Sequence, residues 1–295
     1  MNLLKIGKKL LLCMILLLTV LFPLTAAMAD DQKAPDDQKA PEPAAPAAPT
    51  ATLSTDILSQ YIFRGVAQSR DSAVIQPSFT ASYSGLSVNV WSNVDTSRSS
   101  NNLNVALPPG QAGKPRYTET DFTVSYTKEL CKDFSVLIGN VYYELQVPLS
   151  NFNQDEIFGG VSYNFPWVTV AFTAYGEVNH SYDVWLQLDI TKSIPVDCLC
   201  KGAVVDLGAS LGYLTLLRND NVLDLQGTTG DFSGFDTCLF TADVKFPLGQ
   251  YITIAPKIGL WLPMTGAASD YLEANSLDSK STHFYGGLNL TATLF

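Results

Sequence analysis

The chain reads as an all-β protein: a transmembrane antiparallel β-barrel of about twelve strands, preceded by a secretory signal and a disordered Pro/Ala tether. Three observations predict it. Apolar and polar residues alternate in segments close to the roughly 9–11 residues that a tilted membrane strand needs. The connections between those segments are short and long by turns. Beyond the N-terminus no stretch is long and apolar enough to cross a bilayer as a helix, and a closed barrel is the other structure that satisfies every backbone group in lipid. A soluble β-sandwich with one wet face would show the same alternation, so the connections have to separate the two cases.

The N-terminus comes first. Lys5, Lys8 and Lys9 precede an apolar run from Leu10 to Phe22, and a small-residue site follows at Ala27-Met28-Ala29. This is the pattern of a signal peptide over residues 1–29, with the mature chain starting at Asp30. The run is shorter than the roughly 20 residues of a spanning helix, and Pro23 ends it. Cys13 stands at the front of the run, whereas a lipidated cysteine would stand behind it. Residues 30–50 hold a duplicated Asp-Asp-Gln-Lys-Ala-Pro unit and a Pro-Ala tract with almost nothing to bury, so they are expected to form a disordered linker. Residues 51–295 are expected to be the barrel.

Twelve strands are expected within it, at 52–64, 74–84, 86–95, 117–128, 134–145, 155–164, 167–177, 182–192, 203–215, 236–246, 251–261 and 282–295. The clearest is the eighth, where Tyr182, Val184, Leu186, Leu188 and Ile190 share one face and Asp183, Trp185, Gln187, Asp189 and Thr191 the other. Tight connections such as Ser84-Gly85 and Phe165-Pro166 alternate with long polar ones such as Thr96 to Arg116, Leu216 to Phe235 and Leu262 to Ser281. Bacterial barrels have short periplasmic turns and long outer loops, and with an even strand number this phase puts both ends of the barrel on the periplasmic side. The last residue, Phe295, resembles the terminal aromatic that barrels present to their assembly machinery, although Phe284, Leu288, Leu290, Ala292 and Leu294 occupy the opposite register. Aromatic girdles are expected at the two interfaces: Tyr61, Phe63, Tyr143, Tyr182 and Phe284 outside, and Tyr83, Tyr126, Tyr163 and Phe246 inside.

From Ser59 to Asp95 the pattern Ser59, Tyr61, Phe63-Arg64-Gly65, Gln68-Ser69, Gln76, Gly85-Leu86, Trp91 and Ser92-Asn93-Val94-Asp95 resembles the Gcw_chp type of exported bacterial proteins of unknown function. The resemblance implies an exported outer-membrane barrel and carries no mechanism. The long tether and the four mature cysteines depart from it.

Without the three signal lysines the chain keeps 15 basic residues against 28 acidic, a formal balance of −13 that argues against nucleic-acid binding. If the apolar faces meet lipid, the opposite faces line the lumen. They carry Asp56, Asp95, Glu119, Asp121, Glu144, Glu156, Glu177, Asp183, Asp189, Asp206 and Asp243 against Arg64, Lys245 and Lys257. In water such an excess of acids favours cations. The competing reading is a plugged lumen in which Arg64 pairs with a neighbouring acid and Lys245 and Lys257 pair with Asp243.

Other chemistry is sparse. The two histidines, His180 beside Ser181 and His283 near Ser281, would sit at the outer rim, but neither has a catalytic motif around it, and no enzyme activity is expected. Asp220, Asp224, Asp231 and Asp236 in one loop, and Asp270, Glu273 and Asp278 in another, match no calcium-loop spacing. No metal or cofactor is expected. Cys198-x-Cys200 lacks a second pair at metal-ligand spacing, so a disulfide from one of them to Cys131 on another periplasmic turn is the expectation. The partners expected are outer-membrane lipid, lipopolysaccharide and the barrel-assembly machinery, with the barrel itself a monomer. The reading that follows is a porin-like passive channel with cation preference; the alternatives are a structural or surface-binding barrel with a filled lumen, and an outer-membrane hydrolase.

Overall fold

The computed structural model describes residues 48–70, 72–97, 113–146, 153–179, 183–215 and 232–295. The signal segment, nearly all of the tether, His180, Ser181, Tyr182, Asp220, Asp224 and Asp231 lie outside the described residues.

Twelve antiparallel strands close into a barrel. They are β1 (Thr50–Leu58), β4 (Val74–Tyr83), β5 (Leu86–Asp95), β6 (Arg116–Cys131), β7 (Phe134–Leu145), β8 (Gln154–Asn164), β9 (Thr169–Glu177), β10 (Val184–Pro195), β11 (Val204–Thr215), β12 (Ser233–Leu248), β13 (Ile252–Pro263) and β14 (His283–Thr293). Two further strands, β2 (Ile62–Phe63) and β3 (Val66–Ala67), form a small hairpin of their own, and one helix, α1 (Gly266–Asn275), lies between β13 and β14. Each wall strand pairs with its sequence neighbour, and β1 pairs with β14 from Thr52↔Thr293 to Leu58↔Gly287 to close the ring. Backbone bonds from Ala51 N–H to Phe295 O (3.1 Å) and from Leu294 N–H to Ala51 O (2.8 Å) finish the seam.

Alternation decides which side chain meets what. Leu53, Ile57, Phe79, Val124, Ile138, Ile157, Phe240, Ile258 and Phe284 all point outward and lie bare. A soluble sandwich would have buried this face; here Ile138 is 61% exposed and Phe284 65%. An apolar surface of this size, continuous around a closed sheet, is stable only against lipid, so the molecule is a transmembrane barrel. The inward positions hold Ser, Thr, Asn, Gly and charged residues.

The short turns are built for strand pairing. Tyr83 pairs with Leu86 across Ser84 (φ 50) and Gly85 (φ 87). Two successive positive φ values make the type I′ turn whose twist matches an antiparallel ladder.

Two expectations of facing are overturned. The first strand ends at Leu58, not at residue 64, and residues 59–70 leave the wall for the lumen, so Tyr61 and Phe63 face inward and not toward lipid. Tyr61 packs on Trp91 at 5.5 Å between ring centroids and Phe63 on Tyr143 at 5.7 Å. The hairpin has an alternation of its own, which in sequence continues that of β1. Tyr143 is likewise inward, 8% exposed, while Tyr142 and Ile138 point outward. Glu144 therefore stands on the outer face. Two adjacent tyrosines hide the register locally; Val141, buried, and Ile138, bare, reveal it.

Candidate functional site: the barrel lumen

The half of the lumen nearer the long connections, the outer half in the expected topology, is crossed by the first loop. Phe63 pairs with Val66 across Arg64 (φ 48) and Gly65 (φ 83), a second type I′ turn, which drives the tip of the hairpin inward. Gly65 lies against Thr237 of β12, whose methyl would stand 2.3 Å from any added Cβ. Arg64 reaches Glu156 on β8 with both terminal nitrogens, at 2.7 and 2.8 Å. Its guanidinium carbon lies 4.8 Å from the Phe63 ring centre, 4.9 Å from Tyr175 and 5.3 Å from Trp185. The Tyr143 hydroxyl donates a third bond to Glu156, at 2.9 Å. A buried carboxylate needs such company, because a charge taken out of water is costly unless paired and hydrogen-bonded.

Helix α1 completes the plug. Thr265 caps it by accepting from the Ala268 N–H at 3.0 Å, and Ala268 and Leu272 are its buried face. The helix and the hairpin are sewn together: Leu277 N–H donates to Ala67 O at 2.9 Å and Ala67 N–H to Ser276 Oγ at 3.1 Å. Gln60 Nε2 donates to Asp278 at 2.9 Å, and the buried His283 stands 3.0 Å from the same carboxyl. Burial would raise the Asp278 carboxyl, but the hydrogen bonds from His283 and Gln60 outweigh it and hold it below the ordinary carboxylate range.

The inner half is different. Lys245 pairs with Asp206, and Lys257 with Asp56 at 3.0 Å, while Asn289 adds a bond to Asp56 at 3.1 Å. Gln187 holds both oxygens of Asp189 at 3.0 Å. Thr191, Ser193, Asp206, Gly208, Thr241 and Asp243 border a cavity of about 300 Å³ in this wall. The wall at β4 and β5 is uncharged here: Ser82 meets Ser87 at 2.9 Å and Asn89 donates to Ser78 at 2.8 Å.

Of the residues expected to line the lumen, Asp56, Asp95, Glu119, Asp121, Asp189, Asp206, Asp243, Lys245 and Lys257 occupy inward positions on the wall, and Asp183 stands at the outer end of β10. Arg64 reaches the lumen from the inserted hairpin. Glu144 does not line it. Asp243 is the register partner of both Asp206 and Lys257, yet the lysines take Asp206 and Asp56. The plugged-lumen alternative anticipated the pairing of Arg64 with an acid, but not the elements that form the plug: α1 lies in a stretch expected to be an outer loop, and its signals, Thr265 as a cap and Ala268 and Leu272 one turn apart, are faint. Asp236, expected among the acids of an outer loop, lies instead within β12 and is buried.

His283 is committed to Asp278, and Ser281 turns to Ser269 (2.8 Å) and Glu273 (3.3 Å). Among the described residues no three His, Cys, Asp or Glu side chains gather where a metal could be held. The cysteines are free, and the expected disulfide is overturned. Cys131 ends β6, and Cys198 and Cys200 lie between β10 and β11, with β7, β8 and β9 intervening. Four strand spacings amount to about 19 Å, whereas a disulfide needs Cα atoms within about 7 Å.

The fold and its lumen thus define a closed transmembrane β-barrel with an inserted first loop. Residues 40–191 match the family described as bacterial protein of unknown function (Gcw_chp), more than half of the chain, and the protein belongs to that family. No curated protein matches the chain. Among solved structures, the KdgM porin aligns over 83% of this chain and 99% of its own at 8% identity, with a TM-score of 0.48. OmpF of Salmonella typhi, in complex with daunomycin, covers 84% and 97% at 8% identity and a TM-score of 0.39. An anion-selective porin from Comamonas acidovorans covers 84% and 99% at 9% identity and a TM-score of 0.32.

Proposed function

We propose that the protein is a narrow outer-membrane channel, exported by its N-terminal signal, that passes small solutes passively and favours cations. The observation that carries this reading is Lys245: it points inward, is paired with Asp206, and still keeps half of its side chain exposed (50%). A half-exposed ammonium on an inward position supports a water-filled inner half of the lumen. The hairpin and α1 then act as the constriction, where a solute must pass the acids Glu119 and Asp121 and the Arg64–Glu156 pair. Fixed acids in an aqueous pore concentrate cations. Lipid, lipopolysaccharide and the barrel-assembly machinery are the partners this role requires, with a monomer as the working unit.

Planar-bilayer recording of refolded protein in a salt gradient tests the proposal. Wild-type protein should show a small conductance with cation preference. Because the Debye length shrinks from about 10 Å at 0.1 M to about 3 Å at 1 M, the preference should fade as salt rises. Neutralising Asp189, Asp206 and Asp243 together should reduce it. Conduction without preference at low salt would remove the role given to the acids.

The packed outer half favours a second reading, a barrel whose lumen is permanently filled and whose role is structural. Releasing the hairpin decides between them: Arg64→Ala with Glu156→Gln should enlarge the conductance of a constricted channel. If neither the wild type nor this variant conducts, the filled barrel takes its place.

A further inference from the structure

The connection between β10 and β11 is a fixed loop that carries two thiols. Val196 N–H donates to Ala203 O at 2.8 Å, Leu199 N–H to Val196 O at 2.9 Å and Ala203 N–H to Cys200 O at 3.0 Å. The Asp197 carboxylate accepts from Gly202 N–H at 2.7 Å. Within this frame Cys198 is exposed and Cys200 half-buried. Unpaired cysteine is ordinarily among the most buried of residues, so two thiols held open two positions apart at the mouth of a barrel call for a chemical explanation. Cys131 lies four strands away. Cys238, on β12, pairs with Leu211 of β11, whereas Val204, which follows the loop, pairs with Lys245. Seven residues of strand separate those two levels, about 23 Å.

We propose that Cys198 and Cys200 form a two-thiolate site for a soft monovalent cation, copper(I). Thiolates select soft metals, among which copper(I), zinc and iron–sulfur clusters are the common cases. Zinc in closed sites takes four ligands, and iron–sulfur clusters are held by four cysteines. Among the described residues no third His, Cys, Asp or Glu joins the pair. Copper(I) is saturated by two thiolates in a near-linear array, so this donor set suits it and leaves the others incomplete. Binding converts two thiols and one copper(I) ion into a bis-thiolate complex of charge −1 and releases two protons, with no change of oxidation state. The site is independent of whether the lumen conducts.

The test uses the full barrel folded in detergent micelles, reduced, desalted without air and titrated with copper(I) against a chromogenic copper(I) chelator. The wild type should withdraw a single equivalent from the chelator and gain thiolate-to-metal absorbance in the ultraviolet. Cys198→Ser with Cys200→Ser should lose that equivalent while keeping the folded barrel's mobility on a heat-modifiability gel, and Cys131→Ser with Cys238→Ser should keep it. The proposal is overturned if the reduced wild type withdraws no copper, if the Cys198/Cys200 variant withdraws as much, or if zinc displaces the bound ion.

Discussion

At Arg64 one side chain does three things at once: it neutralises Glu156, stacks among Phe63, Tyr175 and Trp185, and pins the tip of the hairpin to the wall. The pair is buried, with 18% and 6% of the two side chains exposed, so removing one partner leaves the other uncompensated. Arg64→Met should destabilise the folded barrel by about 3–5 kcal/mol in denaturant unfolding from lipid vesicles. Adding Glu156→Leu should recover much of that loss, because the stranded charge goes with it. A cost near zero for Arg64→Met would mean that water already reaches Glu156. Arg64→Lys should behave nearer to the Met variant than to the wild type, since an ammonium can neither fork onto the carboxylate nor stack among three rings. Asp278 supplies the other latch of the plug. Its folded-state pKa is depressed, so its contribution is present in full above the ordinary carboxylate pKa of about 3.9 and is lost as pH falls from there through the lowered value. Amide exchange over residues 266–281 should therefore stay slow at neutral pH and accelerate in strong acid, and Asp278→Asn should show the fast exchange already at neutral pH. Exchange that ignores both changes would remove Asp278 from the latch.

Among the elements, β7 makes the most direct claim about the membrane. Ile138 is central in it and bare on the outer face, while Ser125 on β6 lies one register step away with its side chain inward. Ile138→Arg should cost about 2–4 kcal/mol if lipid covers it near the bilayer midplane, and Ser125→Arg should cost little because it meets the lumen. Equal damage on both faces in vesicle-based unfolding would contradict the barrel's orientation of faces. The wall strands were legible because their side chains obey one rule along the whole element. Eleven of the expected segments lie within a few residues of the strands found, from 74–84 against Val74–Tyr83 to 203–215 against Val204–Thr215. Where two rules overlapped, reading failed: Tyr61 and Phe63 continue the alternation of β1 after the chain has left the wall, and Tyr142-Tyr143 offers an aromatic to either face. The acids were legible as inward residues for the same reason the strands were, Glu144 beside the paired tyrosines excepted. Their partners were not, since period two says which face a lysine shares and nothing about whether its flexible stem reaches diagonally to Asp206 on the next strand or across two strands to Asp56.

At the scale of the whole molecule the lumen has two halves, a packed outer one built from the first loop and α1, and an inner one lined by hydroxyls and ion pairs, which the proposed channel fills with water. The conductance experiments address how they work together: release of the hairpin should raise current without disturbing the wall, since the wall's ladders do not run through it. The seam between β1 and β14 bears on biogenesis. It joins residues more than two hundred positions apart, such as Leu58 and Gly287, so the costliest loop closure falls at the last step of assembly. Until β14 is in place, β1 and β13 each offer an unpaired edge to any neighbouring chain. The polypeptide therefore has to be kept from pairing until its final strand is available, and a variant that slows docking of β14 should aggregate in transit even when its finished barrel is as stable as the parent's.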